Sequence, residues 1–422
     1  MDRSSRMSVA PDPVGAPRPR RAHLGLVPRL RLDISWGDLA VGMVACAWAH
    51  DVERRTADIE SRFGEGGDAL VAYSVRSALD AYLSEVTWPA GSEVLVSALT
   101  IPHMVRIIAD HGFVPVPVDL DPGTLVPSAG DLRGAITPRT TAWVHAHLFG
   151  TRADLTGLAG ICRAAGIVVI EDCAQAYTGH DYTGSPAADV ALFSFGTIKT
   201  ATALGGAVVR ITDADVRDRV RRRMAGWPIE RRTRRTAKVG KYLVLHGLAR
   251  PLPYGLLCRA VHAAGHDADA WVHASVRGFP GDDLARAIRH RPSAPLLVLL
   301  RRRLRQDISP AIAARAAAGD ALLARLPPAV RALGDASPVR THWVMPVVAV
   351  EPAAICGALR AAGFDASALS SLIVVDGPDH GSNELVRQAM DRLVYVPVSA
   401  PHLDEMVDRL RTAVADDEAV AA

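Results

Sequence analysis

Lys199 is the residue whose type and position most plainly suggest chemistry. Of the 48 basic residues only three are lysine: Lys199, Lys238 and Lys241. The last two fall in an arginine-crowded stretch that begins at Arg231. Lys199 stands alone, between the apolar run at 190–195 and Ala203-Leu204-Gly205-Gly206. Arginine serves this chain wherever a charge suffices. A lysine kept after a strand therefore points to work a guanidinium cannot do, such as a deprotonated amine forming a Schiff base. A solvated surface lysine is the plain alternative.

The elements that must position Lys199 alternate in type. Short aliphatic strands are expected at 71–73, 93–96, 114–118, 141–147, 167–171, 190–195 and 207–211. Helices are expected at 77–85, 104–111 and 155–165. This alternation predicts an α/β fold with a mostly parallel sheet covered on both faces. Ligands gather at the carboxyl ends of such strands, where Asp172 and Ser194 fall. Residues 341–415 predict a smaller α/β domain, with strands at 344–350 and 393–398 and helices at 353–362 and 403–414.

A chain of 422 residues is long enough for two domains, and 49% hydrophobic residues supply their cores. A net charge of +3 gives no reason to expect nucleic acid as a partner. The five cysteines are scattered without metal-ligand spacing, so reduced thiols in a cytoplasm and no metal site are expected. Residues 1–30, rich in Pro and Arg, predict a disordered segment with no secretory signal. The apolar stretch 39–49 falls short of the ~20 residues that span a bilayer. Residues 415–422 predict a frayed tail.

Glu171-Asp172-Cys173-Ala174-Gln175-Ala176, followed by Phe193-Ser194-Phe195-Gly196-Thr197-Ile198-Lys199, resembles the DegT/DnrJ/StrS family of PLP-dependent nucleotide-sugar aminotransferases. Gly91-Ser92-Glu93-Val94, Val116-Pro117-Val118-Asp119-Leu120-Asp121, Ile136-Thr137-Pro138-Arg139-Thr140 and His147-Leu148-Phe149-Gly150 resemble further family segments in the same order. The likeness is close over 68–210 and loose over 286–415. It implies an aspartate-aminotransferase-like fold (PLP fold type I) and a homodimer. The cofactor implied is pyridoxal 5'-phosphate, with Lys199 holding it and Asp172 against its pyridine nitrogen. Gln175 would lie near the phenolic oxygen, and Ser194 would bind the phosphate. An amino donor, glutamate by resemblance, and a keto group on a nucleotide-linked sugar or cyclitol would be the small-molecule partners.

The departures from the family are specific. Where it has Ser-Gly-Thr at a phosphate-binding helix start, this chain has Ser74-Val75-Arg76-Ser77, so Val75 would offer only backbone, and Arg76 would reach either the phosphate or the substrate. Ile101 stands where an aromatic would cover the ring, with His103 as the other candidate. The loop after Lys199 is short and lacks the family asparagine. His290-Arg291-Pro292-Ser293 resembles a family turn that comes much earlier, so Arg291 becomes a candidate for reaching a substrate or cofactor phosphate from the neighbouring subunit, and His147 a candidate pocket residue. Residues 226–285 are extra, dividing a large domain (31–225) from a small one (286–422). Their basic start and apolar body predict packing on the enzyme or its dimer partner, with an anionic membrane surface as the alternative. Two other readings stay open. Related PLP-dependent sugar dehydratases carry histidine in place of the lysine, which Lys199 argues against; a catalytically silent binding or regulatory protein is the second.

Overall fold

The computed structural model describes residues 24–29, 31–63, 67–276, 278–279, 281–377, 383–398 and 402–421. Seven strands form the central sheet: β1 (Ala69–Ala72), β2 (Glu93–Ser97), β3 (Val114–Val118), β4 (Thr140–Ala146), β5 (Val168–Asp172), β6 (Val190–Ser194) and β7 (Ala207–Ile211). All seven coincide with the expected strands to within two residues. Their spatial order is β1-β7-β6-β5-β4-β2-β3. Only β7 runs against the others, pairing antiparallel with both β6 and β1. The sheet is therefore mostly parallel, as expected: β6 and β7 are joined by a loop too short for a crossover helix.

Period-2 alternation sends side chains into two separate cores. Leu70, Ala72, Val94, Val96, Leu192 and Val209 pack beneath helices Val75–Leu83 and Pro102–Asp110. Ala69, Val71, Ala191, Phe193 and Val208 pack on the other face. That second face is covered by helix Trp36–Trp48 through Leu39 and Cys46, by Arg232–Leu248 through Val239 and Tyr242, and by Ala294–Leu304 through Leu296 and Leu300. The start of the extra segment is thus part of the large domain's helical layer.

Its basic residues are largely committed to the fold. Arg232 donates to the carbonyls of Cys46, Ala47 and Ala49, closing the C-terminus of helix Trp36–Trp48. Arg235 is buried, paired with Glu230 at 2.9 Å and donating to Leu204 O at 3.1 Å. Lys238 points inward, where burial and then Arg235 lower its amine to about 7. Of the six cations that could have met an anionic surface, Arg231 and Arg234 stay exposed, and Lys241 donates to Ser275 O. No helix among the described residues is long and apolar enough to cross a membrane.

The small domain is built on a three-stranded antiparallel sheet of Arg331–Ala332, Met345–Val348 and Leu393–Val396, the middle strand pairing with both others. Its core joins Val347, Val394 and Val396 to Ile355 and Leu359 of helix Pro352–Ala361 and to Met406 and Leu410 of helix Leu403–Ala421. That last helix runs through the stretch expected to fray. Of the segment expected to be disordered, residues 1–23 and 30 lie outside the described residues. Residues 24–29 form an ordered bridge: Leu26 N donates to Pro251 O, and Val27 N to Gly363 O. Arg29 is buried between two carboxylates, 2.6 Å from Asp365 and also paired with Asp269 of helix Ala268–Val276. Tyr254 of helix Pro251–Ala263 donates to Asp365 at 2.9 Å.

Removing one member of a buried ion cluster leaves the opposite charge poorly compensated. Asp365→Ala should cost on the order of 3 kcal/mol, read as a lowered denaturant midpoint, whereas Asp404→Ala, on an exposed pair with Arg325, should cost under about 1 kcal/mol.

Candidate active site

Asp172 ends β5, Ser194 ends β6, and Lys199 follows in the β6–β7 loop, so parallel strands deliver all three to one edge of the sheet. The loop is held by a single carbonyl. Phe195 O accepts from Ala203 N (3.1 Å), Gly205 N (2.9 Å) and Thr202 Oγ1 (3.3 Å). Phe195 N in turn donates to Gly206 O. This tight path requires positive φ at Ala201 (53°) and Leu204 (59°), a conformation costly to non-glycine residues. Ala201 N donates to Asp33 Oδ2 at 2.5 Å, which ties the loop to the segment preceding helix Trp36–Trp48.

Lys199 Nζ lies 4.3 Å from the centre of the Trp343 ring, and Trp343 Nε1 donates to Ile198 O at 2.8 Å. Burial lowers the Lys199 amine to about 8; Asp172 opposes that shift and Arg76 adds to it. Burial pushes the Asp172 carboxyl above its ordinary range, against the pull of the Ala174 N–H, Lys199, His147 and Arg76. A lysine closer to neutrality and a buried carboxylate among cationic groups suit a cofactor that needs an amine to attach to and a carboxylate beside a ring N–H. These residues fit PLP.

Two clefts flank this pair. One is lined by Thr100, Ile101, His147, Asp172, Gln175 and Leu372, among others. Ile101 and Gln175 therefore share a wall with Asp172, as the sequence suggested. Gln175 Oε1 accepts from Phe149 N at 2.7 Å, so its NH₂ remains as the polar end. Ser194 Oγ accepts from Gly196 N at 3.4 Å, within the Lys199 loop. His147 both lines the cleft and pairs with Glu171 at 2.7 Å. Burial opposes ionisation of Glu171, but His147, Tyr182 and Ser185 N outweigh it and hold the carboxyl at about 2. His147, Glu171 and Cys173 bring potential metal-ligand atoms within 4.8 Å of one another, a cluster the cysteine spacing did not suggest. Its carboxylate is already used by three hydrogen bonds.

The helix start expected to meet phosphate begins at Val75. Ser74 Oγ accepts from Ser77 N at 3.1 Å, and Ser77 Oγ donates to Ile288 O, so both serines serve the fold. That leaves the Val75 and Arg76 N–H groups of the first turn as the donors for an anion. The Arg76 guanidinium is near enough to influence both Lys199 and Asp172. Its Nε donates to His103 Nδ1 at 2.9 Å, and its carbon sits 5.4 Å from the Phe279 ring centre. His103 is thus beside the site as the partner of Arg76. Arg291, expected to reach the site of a neighbouring subunit, pairs with Glu53 of its own chain at 2.7 Å and lines neither cleft of its own chain.

The second cleft is lined by Arg31, Asp33, Ile198, Lys199, Thr200, Arg315, Trp343 and Val344. Arg31, Arg315 and Trp343 were missed from sequence. Arg315 did carry a signal, as the one charge in the alanine-rich run 311–318. Trp343 carried none, because its place beside Lys199 depends on a close approach of two chain segments. Gly150, at φ 88°, permits that approach: a Cβ there would fall 2.4 Å from Thr341 Oγ1 and 2.7 Å from Trp343 N.

The fold has known counterparts. Residues 54–242 match the model of the DegT/DnrJ/EryC1/StrS aminotransferase family. An L-glutamine:2-deoxy-scyllo-inosose aminotransferase of Micromonospora echinospora is 40% identical over 125 residues, 30% of either chain. A GDP-perosamine synthase of Caulobacter vibrioides is 30% identical over 197 residues, 45% of this chain and 53% of that one. The matched stretches thus span about half or less of these curated relatives. The solved aminotransferase TlmJ of Streptoalloteichus hindustanus superposes with a TM-score of 0.67 at 17% identity, over 93% of this chain and 100% of that one. The sugar aminotransferase CalS13 of Micromonospora echinospora gives 0.64 at 22%, over 92% and 100%. At such identities the superpositions establish the fold: a PLP fold type I large domain with its smaller partner domain.

The lowered Lys199 amine sets a pH dependence. Below its pKa the amine is protonated and not nucleophilic, so attachment of pyridoxal phosphate to the cofactor-free protein should rise with pH to half its maximal rate near pH 8. Asp172→Asn removes the charge that raises this pKa, so the midpoint should move to lower pH. Stopped-flow absorbance across a pH series reads both.

Proposed function

We propose, from the match of residues 54–242 to the DegT/DnrJ/EryC1/StrS aminotransferase family model, that the chain is a member of that family and a PLP-dependent aminotransferase. Its reaction would move an amino group, from glutamate or a similar donor, to a keto group of a nucleotide-linked sugar or cyclitol. The names of the matched relatives, one acting on a deoxy-inosose and one making a GDP-linked amino sugar, support that substrate class. The observation that carries the reading is the meeting of Lys199 and Asp172 at the sheet edge with opposed pKa shifts.

PLP, when bound, supplies an electron sink that stabilises negative charge on the carbon bearing the amino group. Lys199 would hold it and, once released as a free amine, would carry the proton between substrate carbon and cofactor carbon; its lowered pKa keeps it able to accept that proton near neutral pH. Asp172 would keep the ring nitrogen protonated. Val75 N, Arg76 and Ser194 would hold the phosphate, and Ile101 would cover the ring by van der Waals contact alone. Gln175 would direct its NH₂ to the phenolic oxygen. His147, fixed by Glu171, lies beneath the same wall and braces Asp172, since His147 N donates to Asp172 O at 3.1 Å.

Five unpaired cysteines support a reducing compartment, the cytoplasm. A homodimer is part of the proposal. Val44 and Trp48 of helix Trp36–Trp48 and Val244 of helix Arg232–Leu248, all more than 60% exposed on elements that pack together, support a covered face there. Sedimentation velocity should give a dimer that Trp48→Glu weakens; a wild-type monomer would exclude it.

Borohydride reduction and peptide mapping test the site. The cofactor should be trapped on Lys199, and Lys199→Ala should lose both the adduct and transamination, while Lys241→Ala keeps both. An adduct mapped to Lys238 or Lys241 would overturn the assignment. In the same assay Arg76→Ala should weaken cofactor retention by about tenfold or more, the loss of a charge-assisted bond. Unchanged retention with a raised substrate KM would move Arg76 to the substrate side.

A further inference from the structure

The cleft on the Trp343 side of Lys199 carries more positive charge than its surroundings use. Arg315, on helix Ser309–Leu323, donates from Nε to Thr341 O at 2.7 Å, which fixes the plane of its guanidinium. Its NH2 nitrogen is buried and has no hydrogen-bond partner among the described residues. An orphaned guanidinium N–H in a native fold calls for an explanation, since nearly all such groups are satisfied. Arg31, exposed, lines the same cleft and adds to the positive field that Arg315 experiences.

The one carboxylate lining this cleft acts on Arg315 through its field but gives its oxygens to other partners. Asp33 is committed elsewhere: Oδ1 pairs with Arg303 at 3.2 Å, and Oδ2 accepts from Ala201 N at 2.5 Å. Burial lowers the Arg315 guanidinium from its ordinary range, Asp33 partly opposes that shift, and Arg31 adds a smaller push in the same direction as burial. Arg315, with one unused guanidinium donor, and Arg31 therefore line the same cleft as Lys199. A planar guanidinium held in place is suited to a two-oxygen acceptor.

We propose that Arg315 and Arg31 form the subsite for an oxyanion of the substrate, placed beside the reacting carbon by the shared cleft. The proposal rests on the aminotransferase reading and deepens it. Two groups carry that chemistry: the carboxylate of the amino donor and a phosphate of a nucleotide-linked keto substrate. Arg315 would supply its free N–H and a fixed orientation, Arg31 a second charge from the rim, and Trp343 a flat wall between the oxyanion and Lys199.

Isothermal titration of the cofactor-loaded, full-length protein with glutarate, a non-reacting dicarboxylate, and separately with uridine diphosphate separates the two sources. Arg315→Met should weaken one of the two by about tenfold or more, and Arg315→Lys, which keeps the charge but not the fork, should recover part of the loss. Loss of glutarate binding assigns the donor carboxylate; loss of diphosphate binding assigns the keto substrate's phosphate. Arg31→Ala, at an exposed residue, should weaken the same ligand and serves where Arg315→Met does not fold. The subsite is overturned if wild type binds neither probe or if both bind the folded variants unchanged. These titrations read binding, not turnover, so a protein that bound the probes yet failed to transaminate would refute the enzymatic reading alone.

Discussion

The placement of Lys199 against Asp172 at the carboxyl edge of the sheet is the constraint on which the rest of the site depends. Burial disfavours both charges, raising the carboxyl and lowering the amine, while their mutual attraction works the other way. Such a pair is unstable in isolation and is held by the strand ends and loop around it. β5 fixes Asp172 by the sheet ladder. The three-way acceptor Phe195 O fixes the loop that carries Lys199, at the cost of left-handed conformations at Ala201 and Leu204. The strain lies where the chemistry is expected, in a loop too short to relax by a wider path.

Residues 226–285 begin within the helical layer behind that loop. Arg235 reaches Leu204 O in the lysine loop and Glu230 at the start of its own segment; Glu230 also accepts from Tyr73 and Ser293. One buried carboxylate thereby joins the end of β1, the extra segment and the helix that follows it. A charged residue at such a junction contributes orientation more than stability, because desolvation offsets much of its Coulomb attraction. The segment's far end is tied just as specifically, with Asp269 receiving Arg29, Arg360 and Ser367 from the N-terminal bridge and the small domain.

Much of the large domain was legible in the sequence because its strands are short, aliphatic and evenly interrupted by helices, a pattern the sheet's two buried faces enforce. The placement of Asp172, Gln175, Ser194 and Lys199 at one edge of the sheet was legible because it follows from the strand ends next to them in sequence. The antiparallel direction of β7 was not, since direction in a central strand leaves no mark on apolar periodicity. Nor was the use of the basic run: Arg232 and Arg235 look like solvated charges until the carbonyls and carboxylate they meet are known. Arg315 and Trp343 were hidden for the same reason. They lie far along the chain and reach Lys199 through tertiary contact alone.

The departures at the phosphate end then read as one coordinated change. With glycine and threonine replaced by Val75 and Arg76, the helix start has lost a hydroxyl donor and gained a cation. An uncompensated arginine beside Lys199 would lower the amine further and leave a guanidinium N–H unsatisfied. His103 answers part of that, accepting from Arg76 Nε, and Phe279 offers its ring face. Ile101, in place of an aromatic, keeps the neighbouring wall narrow and apolar. At this end of the site the chain therefore presents a paired cation, Arg76, and an apolar wall at Ile101, on either side of the lysine and carboxylate.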